Sequence, residues 1–231
     1  PAEKLAKNVQ LLGSILEKLT FCHSLTLVPA ASGSSCVNIP EDGFSMGFPP
    51  PGLLLRRMEL SWRCCVFFSL PKWFEELNKL SILKIGIRRL LREDIDLLKG
   101  LPALTALSLY IQTVPALTAL TLYIHTISGG CIVIDKGGFQ ALTYFKFMCA
   151  EPCLFFVQGA MPRVQKLVIG FNSSKWKPHT FGTAGFCHLT GLTEVSVKLG
   201  TWGTDELDIN DAESKLVTAV SNHTNSPISR V

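Results

Sequence analysis

The chain has 231 residues, 47% of them apolar and 17% charged, with a formal net charge of +4. This length and apolar content support a continuous core and exclude a wholly disordered chain. The charge is too small and too scattered for the clustered basic surface of a nucleic-acid binder, so no nucleic-acid partner is expected.

The first residue is Pro1, and the chain reads as a fragment or a processed product. No basic segment followed by an apolar run opens it, so no signal peptide is expected. No uncharged apolar run reaches the about 18 residues of a membrane span. The apolar stretch at residues 150–160 is short and is interrupted by Glu151, Pro152 and Gly159.

In chain order, residues 1–28 end on Cys22-x-x-Leu25-x-Leu27, a weak form of a unit that becomes clear later. Residues 29–52 are rich in Pro, Gly and Ser, with Ser32-Gly33-Ser34-Ser35 and Pro49-Pro50-Pro51-Gly52, and read as a loop or insertion. From residue 53 the unit L-x-x-L-x-L recurs, first as Leu55-x-x-Met58-x-Leu60 and Leu80-x-x-Leu83-x-Ile85. Leu104-x-x-Leu107-x-Leu109, Leu117-x-x-Leu120-x-Leu122 and Leu142-x-x-Phe145-x-Phe147 continue it. Val164-x-x-Leu167-x-Ile169 and Leu192-x-x-Val195-x-Val197 complete the series. The fourth positions are spaced by 33, 25, 24, 13, 25, 22 and 28 residues. Most of these fall near the period of about 20–29 residues that marks leucine-rich repeats.

The fold class expected is therefore α/β: a leucine-rich-repeat solenoid with a parallel sheet on its concave face. The return segments are irregular or helical, as Trp73–Leu80 after Pro71 suggests, and a C-terminal helix caps the stack. Alternation along each strand sends the fourth and sixth positions inward and the residues between them to the concave side. Repeats occupy 53–203. The 13-residue spacing arises because 102–114 and 115–127 match at ten of 13 positions, a tandem duplication too short for a full turn. The copies compete for one place in the sheet, or the solenoid carries one irregular turn. Deleting 102–114 is expected to leave the melting temperature equal or raised.

Residues 204–231 read as cap and tail. Asn210 with Glu213 makes a capping-box pair, and Ala212, Leu216, Ala219 and Val220 form an apolar stripe at helical spacing. His223-Thr224-Asn225-Ser226-Pro227 then stops the helix.

Chemistry-bearing patterns are scarce. The eight cysteines show no paired C-x-x-C spacing of a zinc site, and most lie in apolar runs, as reduced thiols of an intracellular protein do. None of the five histidines has a partner at i, i+4, and neither H-E-x-x-H nor G-x-S-x-G occurs. No metal, cofactor or catalytic residue is expected, and the chain reads as a non-enzyme.

Several phrases carry a resemblance. Leu70-Pro71-Lys72-Trp73-Phe74-Glu75-Glu76-Leu77-Asn78-Lys79-Leu80 resembles the LPxWhxxLxNLxxL phrase of plant coiled-coil nucleotide-binding leucine-rich-repeat receptors, where h is apolar. The acidic segment Glu93–Asp96 leading into Leu101-Pro102-Ala103-Leu104, the strand entry Phe139-Gln140-Ala141-Leu142 and the phrase Ala160-Met161-Pro162-Arg163-Val164-Gln165-Lys166-Leu167 are similar to that family as well. His223-Thr224-Asn225-Ser226-Pro227 resembles its terminal HPNHP, with Thr224 and Ser226 in place of the usual residues. The resemblance covers about residues 53–227 and is strongest to grass proteins.

It implies the repeat part of a cytoplasmic disease-resistance receptor. There the repeats hold an ATPase module inactive and take part in detecting pathogen effectors. The implied partner is a protein: an effector or the receptor's own nucleotide-binding module. The phosphate loop G-x-x-x-x-G-K-S/T is absent, so nucleotide chemistry does not carry over. Alternatives are a truncated remnant of such a receptor, or a repeat-type adaptor that selects substrates for ubiquitin ligation. The concave positions are Glu59, Ser61, Lys84, Ser108, Tyr110, Thr121, Tyr123, Lys146, Met148 and Lys198. They read either as a solvated sheet face or as a partner-binding one.

Overall fold

The computed structural model describes residues 14, 21–29, 37–39, 52–113, 132–149, 154–172, 185–200, 214, 217–218 and 220–230. The chain divides into two compact units, Pro1–Gln112 and Thr113–Val231.

In the first unit β1 (Ser24–Leu27), β3 (Arg57–Leu60), β5 (Ile82–Arg89) and β6 (Ala106–Thr113) lie side by side in that order. β1 and β3 are parallel with Leu25 opposite Met58 and Leu27 opposite Leu60, and β3 and β5 are parallel with Met58 opposite Leu83. A second ribbon joins β2 (Val37–Ile39) to β4 (Cys65–Phe67), which meets β5 at Phe67 and Ile87. In the second unit β8 (Tyr144–Cys149), β10 (Lys166–Asn172), β11 (Glu194–Gly200) and β12 (Ile228–Arg230) follow one another, all parallel. There β7 (Ile132–Ile134) pairs in parallel with β9 (Leu154–Phe156).

The cause is the periodicity of the leucine unit. Leu55, Met58 and Leu60 are buried, as are Leu80, Leu83 and Ile85, then Leu104, Leu107 and Leu109. Leu142, Phe145 and Phe147, Val164, Leu167 and Ile169, and Leu192, Val195 and Val197 repeat this in the second unit. One such strand exposes its apolar side; stacking covers it.

β5, β6, β8, β10 and β11 are each entered through the same tight turn. The amide of Leu80 donates to Leu77 O, Leu104 to Leu101 O, Leu142 to Phe139 O, Val164 to Met161 O and Leu192 to Leu189 O, at 3.0–3.4 Å. The carbonyl just ahead of a strand then accepts two amides of the next repeat. Arg56 O takes Ser81 N and Ile82 N, Ser81 O takes Thr105 N and Ala106 N, and Gln165 O takes Thr193 N and Glu194 N. Hydroxyls reinforce the step: Ser81 Oγ donates to Arg56 O at 2.9 Å, Thr105 Oγ1 to Ser81 O at 3.0 Å and Thr193 Oγ1 to Gln165 O at 3.0 Å.

Gly185 adopts φ +69°, in the left-handed region, and a Cβ there would run into the carbonyl of Phe156. Gly185→Ala is therefore expected to cost about 1–3 kcal/mol, read as a shift in the denaturant midpoint.

The return segments are less helical than the sequence suggests. Trp73–Leu80 is a 3-10 turn over Lys72–Glu76, with Leu77 N donating to Phe74 O. Trp73, Phe74, Leu77 and Leu80 are all buried, and the i→i+3 bonds from Leu77 N to Phe74 O and from Leu80 N to Leu77 O bring them to the core within a short connection. A full helix, α1, forms at Arg92–Lys99. The buried carboxylate of Asp94 fixes its start: Oδ2 accepts Leu91 N at 2.7 Å, and Oδ1 accepts Leu70 N at 2.8 Å. One side chain thus ties two successive return segments together.

Two further elements depart from expectation. Within the stretch read as a loop, residues 29–52, Val37–Ile39 forms a strand with Ile39 buried, a short apolar run hidden by Pro- and Gly-rich flanks. At the end of the chain, 222–230 is more than a stop signal. Asn225 Nδ2 donates to Thr190 O at 2.5 Å and to Leu192 O at 3.5 Å, fastening the tail to the last repeat. The tail then runs on as β12. The capping helix is described at 214, 217–218 and 220–221, where Val220 is buried; Ala212, Leu216 and Ala219 lie outside the described residues.

The first copy of the duplication supplies β6, with Leu104, Leu107, Leu109 and Ile111 buried. The second copy, 115–127, lies outside the described residues.

Candidate recognition face

Among the described residues, no group of three or more His, Cys, Asp or Glu could hold a metal ion, and no helix is long and apolar enough to cross a membrane. Cys22, Cys64 and Cys187 are free thiols. Burial pushes the Cys64 thiol up from its ordinary range, against a smaller opposing hydrogen bond to Ser61, so Cys64 is not an activated thiolate.

The surface that the fold builds is the outward side of each sheet. In the first unit Thr26, Glu59 and Lys84 form a row across β1, β3 and β5. The amides of Thr105 and Ala106 bonded to Ser81 O carry the same offset into β6, which puts Ser108 beside Lys84 and Tyr110 beside Gly86. Glu59 is bound by Arg57 at 2.5 Å. Ser61 opens the turn between β3 and β4, its carbonyl accepting Cys64 N and Cys65 N. Ser108 takes its place in the row but is buried, because its short hydroxyl lies below the longer side chains around it. Thr121 and Tyr123 fall outside the described residues.

Sequence reasoning missed the residue that dominates this face. Trp62 projects over β5 and stacks on Tyr110, with ring centroids 6.4 Å apart and planes at 24°. Position 86 has to be glycine for this: a Cβ there would sit 2.9 Å from the Cβ of Trp62 and 3.1 Å from Val66 Cγ2. The guanidinium of Arg63 lies 5.4 Å from the centroid of the Trp62 ring. A lone glycine inside an otherwise strand-forming run was the available signal.

In the second unit Lys146, Val168, Ser196 and Arg230 form one row, and Met148, Gly170 and Lys198 the next. The thioether of Met148 fills the space that a Cβ at Gly170 would need. A third row, Tyr144, Lys166, Glu194 and Ile228, carries an ion ladder missed in the sequence. Lys166 Nζ lies 2.8 Å and Arg230 Nη1 3.8 Å from Glu194 Oε1. The Lys166 hydrogen bond holds the Glu194 carboxyl below its usual range, with desolvation opposing and the charges of Lys166 and Arg230 assisting. A depressed folded-state value stabilises the fold above the unfolded pKa and is lost as pH falls through the folded one. Acidification below the ordinary carboxylate range should therefore weaken the Lys166–Glu194 link between β10 and β11, seen as a lower denaturant midpoint for the second unit.

A family model described as "Leucine-rich repeat region" matches residues 3–229. The chain belongs to that family. The leucine-rich-repeat region is also 37% identical over 222 residues, 96% of its length, to disease resistance protein RGA5 of Oryza sativa subsp. japonica. It spans 18% of that relative. The parallel strands described above are those of the family's α/β repeat fold, and the resemblance read from residues 53–227 extends over nearly the whole chain.

Proposed function

We propose that this leucine-rich-repeat region is the recognition and autoregulatory part of a cytoplasmic plant immune receptor, without catalysis of its own. The observation that carries the reading is the 37% identity over 96% of the chain to a disease resistance protein. The partner is a protein: a pathogen effector or the receptor's own nucleotide-binding module, met on the outward sheet faces that carry Glu59, Lys84, Tyr110, Lys146, Met148 and Lys198. A decayed remnant is disfavoured by the inward positions, which stay apolar through every described repeat from Met58 to Val197. Drift without selection would place polar residues there at several kcal/mol each.

The test is capture of a separately produced nucleotide-binding module, or of a matching effector, by the folded chain. Saturable binding to one of them is expected. Failure of the folded chain to retain either at high concentration contradicts the reading.

A further inference from the structure

We propose that the outward face around Trp62 binds an acidic polypeptide segment. An aromatic or long aliphatic side chain of that segment packs against Trp62 and Tyr110, and its carboxylates meet Arg63 and Lys84. This rests on the recognition reading above and names the partner's chemistry at one place on the sheet.

Three observations converge on this. Trp62 is 41% exposed although it is stacked on Tyr110, so a large apolar ring stands at the surface, with Gly86 beneath it leaving room for its Cβ. Rigid, half-covered Trp and Tyr with an adjacent Arg are the residues that carry most binding energy in protein interfaces. The charge on this face is also one-sided. Glu59 is neutralised by Arg57, whereas Arg63 and Lys84 make no ion pair among the described residues. The other described acids of the unit, Glu75, Glu76, Glu93, Asp94 and Asp96, are all carried by the return segments. A carboxylate partner meets uncompensated positive charge here, and a basic one meets repulsion. The two rings lie against each other and present one platform. A single-stranded nucleic acid needs successive separate platforms along a positive groove.

The probe is a fluorescein-labelled, end-blocked peptide of sequence Glu-Asp-Phe-Glu-Asp-Leu, titrated with the full chain by anisotropy. Its Lys/Arg counterpart and an oligothymidine strand serve as competitors. The acidic peptide should bind and the basic one should not. Arg63→Glu with Lys84→Glu should weaken acidic-peptide binding by about tenfold or more and create affinity for the basic peptide. Trp62→Ala should weaken binding at unchanged charge. Lys79→Glu, on the exposed 3-10 connection, should leave it within about twofold. Should the double reversal fail to fold, Lys84→Gln alone and a rise in salt must each weaken binding. Equal acidic-peptide affinity in wild type and reversal variant, no binding by the wild type, or tighter binding of the oligonucleotide overturns the site. So does capture of a nucleotide-binding module or effector at wild-type strength by the reversal variant, a result that leaves the recognition reading standing. Absent capture by the wild type with intact peptide binding contradicts that reading and leaves the site in place.

Discussion

Replacing Asp94 by alanine should lower the stability of the first unit by about 3 kcal/mol, because two charge-assisted hydrogen bonds are lost and two backbone amides are stranded. In melting temperature this is a drop of about 10 °C for a protein of this size. The argument turns on what the carboxylate connects. Its two oxygens take the amides of Leu70 and Leu91, residues that open successive return segments. Water cannot replace it at the Leu70 amide, since Leu70 and Asp94 are both buried, while the Leu91 amide is part-buried. Asp94→Asn keeps one acceptor oxygen and should cost less. Glu93→Ala, one residue away and exposed, should stay within about 0.5 kcal/mol. Equal effects at 93 and 94 would show that the carboxylate is not a bridge.

The second large effect lies in the second unit. Phe147→Ala should cost about 3–5 kcal/mol, the range for emptying a fully buried phenylalanine site. Phe147 packs against Phe145 with centroids 6.0 Å apart, and Phe145 stacks on Phe139 at 6.4 Å, so one truncation unsupports a run of rings. Parallel neighbours cannot close the gap, because Ile169 opposite Phe147 is held in register by the backbone ladder. Phe147→Leu should recover most of the loss. Lys146→Ala, one residue away and pointing outward, should change stability by about 0.5 kcal/mol or less. Denaturant unfolding of the three variants separates an inward from an outward position directly.

The architecture was legible because it is written in local pattern. The fourth and sixth residues of each described unit, from Met58 and Leu60 to Val195 and Val197, are the buried ones, and the pattern also fixes which side chains stand outward. Glu59 and Lys84 therefore fell on the expected face, as did Met148 and Lys198. What stayed hidden depends on contacts across the repeats. The bridge made by Asp94 spans 24 residues, and nothing in its neighbourhood distinguishes it from Glu93 or Asp96. Trp62 lies in a turn, where strand alternation says nothing about direction, and its role is visible only with Gly86 and Tyr110 beside it. The helical reading of Trp73–Leu80 used apolar spacing that a 3-10 turn satisfies equally well. β2 and β12 are three residues each, too short for periodicity to register.

Hydrogen exchange resolved to single amides tests the central claim, that each strand is held by the carbonyl that precedes its neighbour. The amides of Ile82, Ala106, Lys166 and Glu194 each donate to one such carbonyl in the preceding repeat. They should be strongly protected, and within each unit their protection should fall together as denaturant is raised. Free exchange at these four positions, with protection confined to contiguous helical stretches, would contradict a stack of parallel repeats.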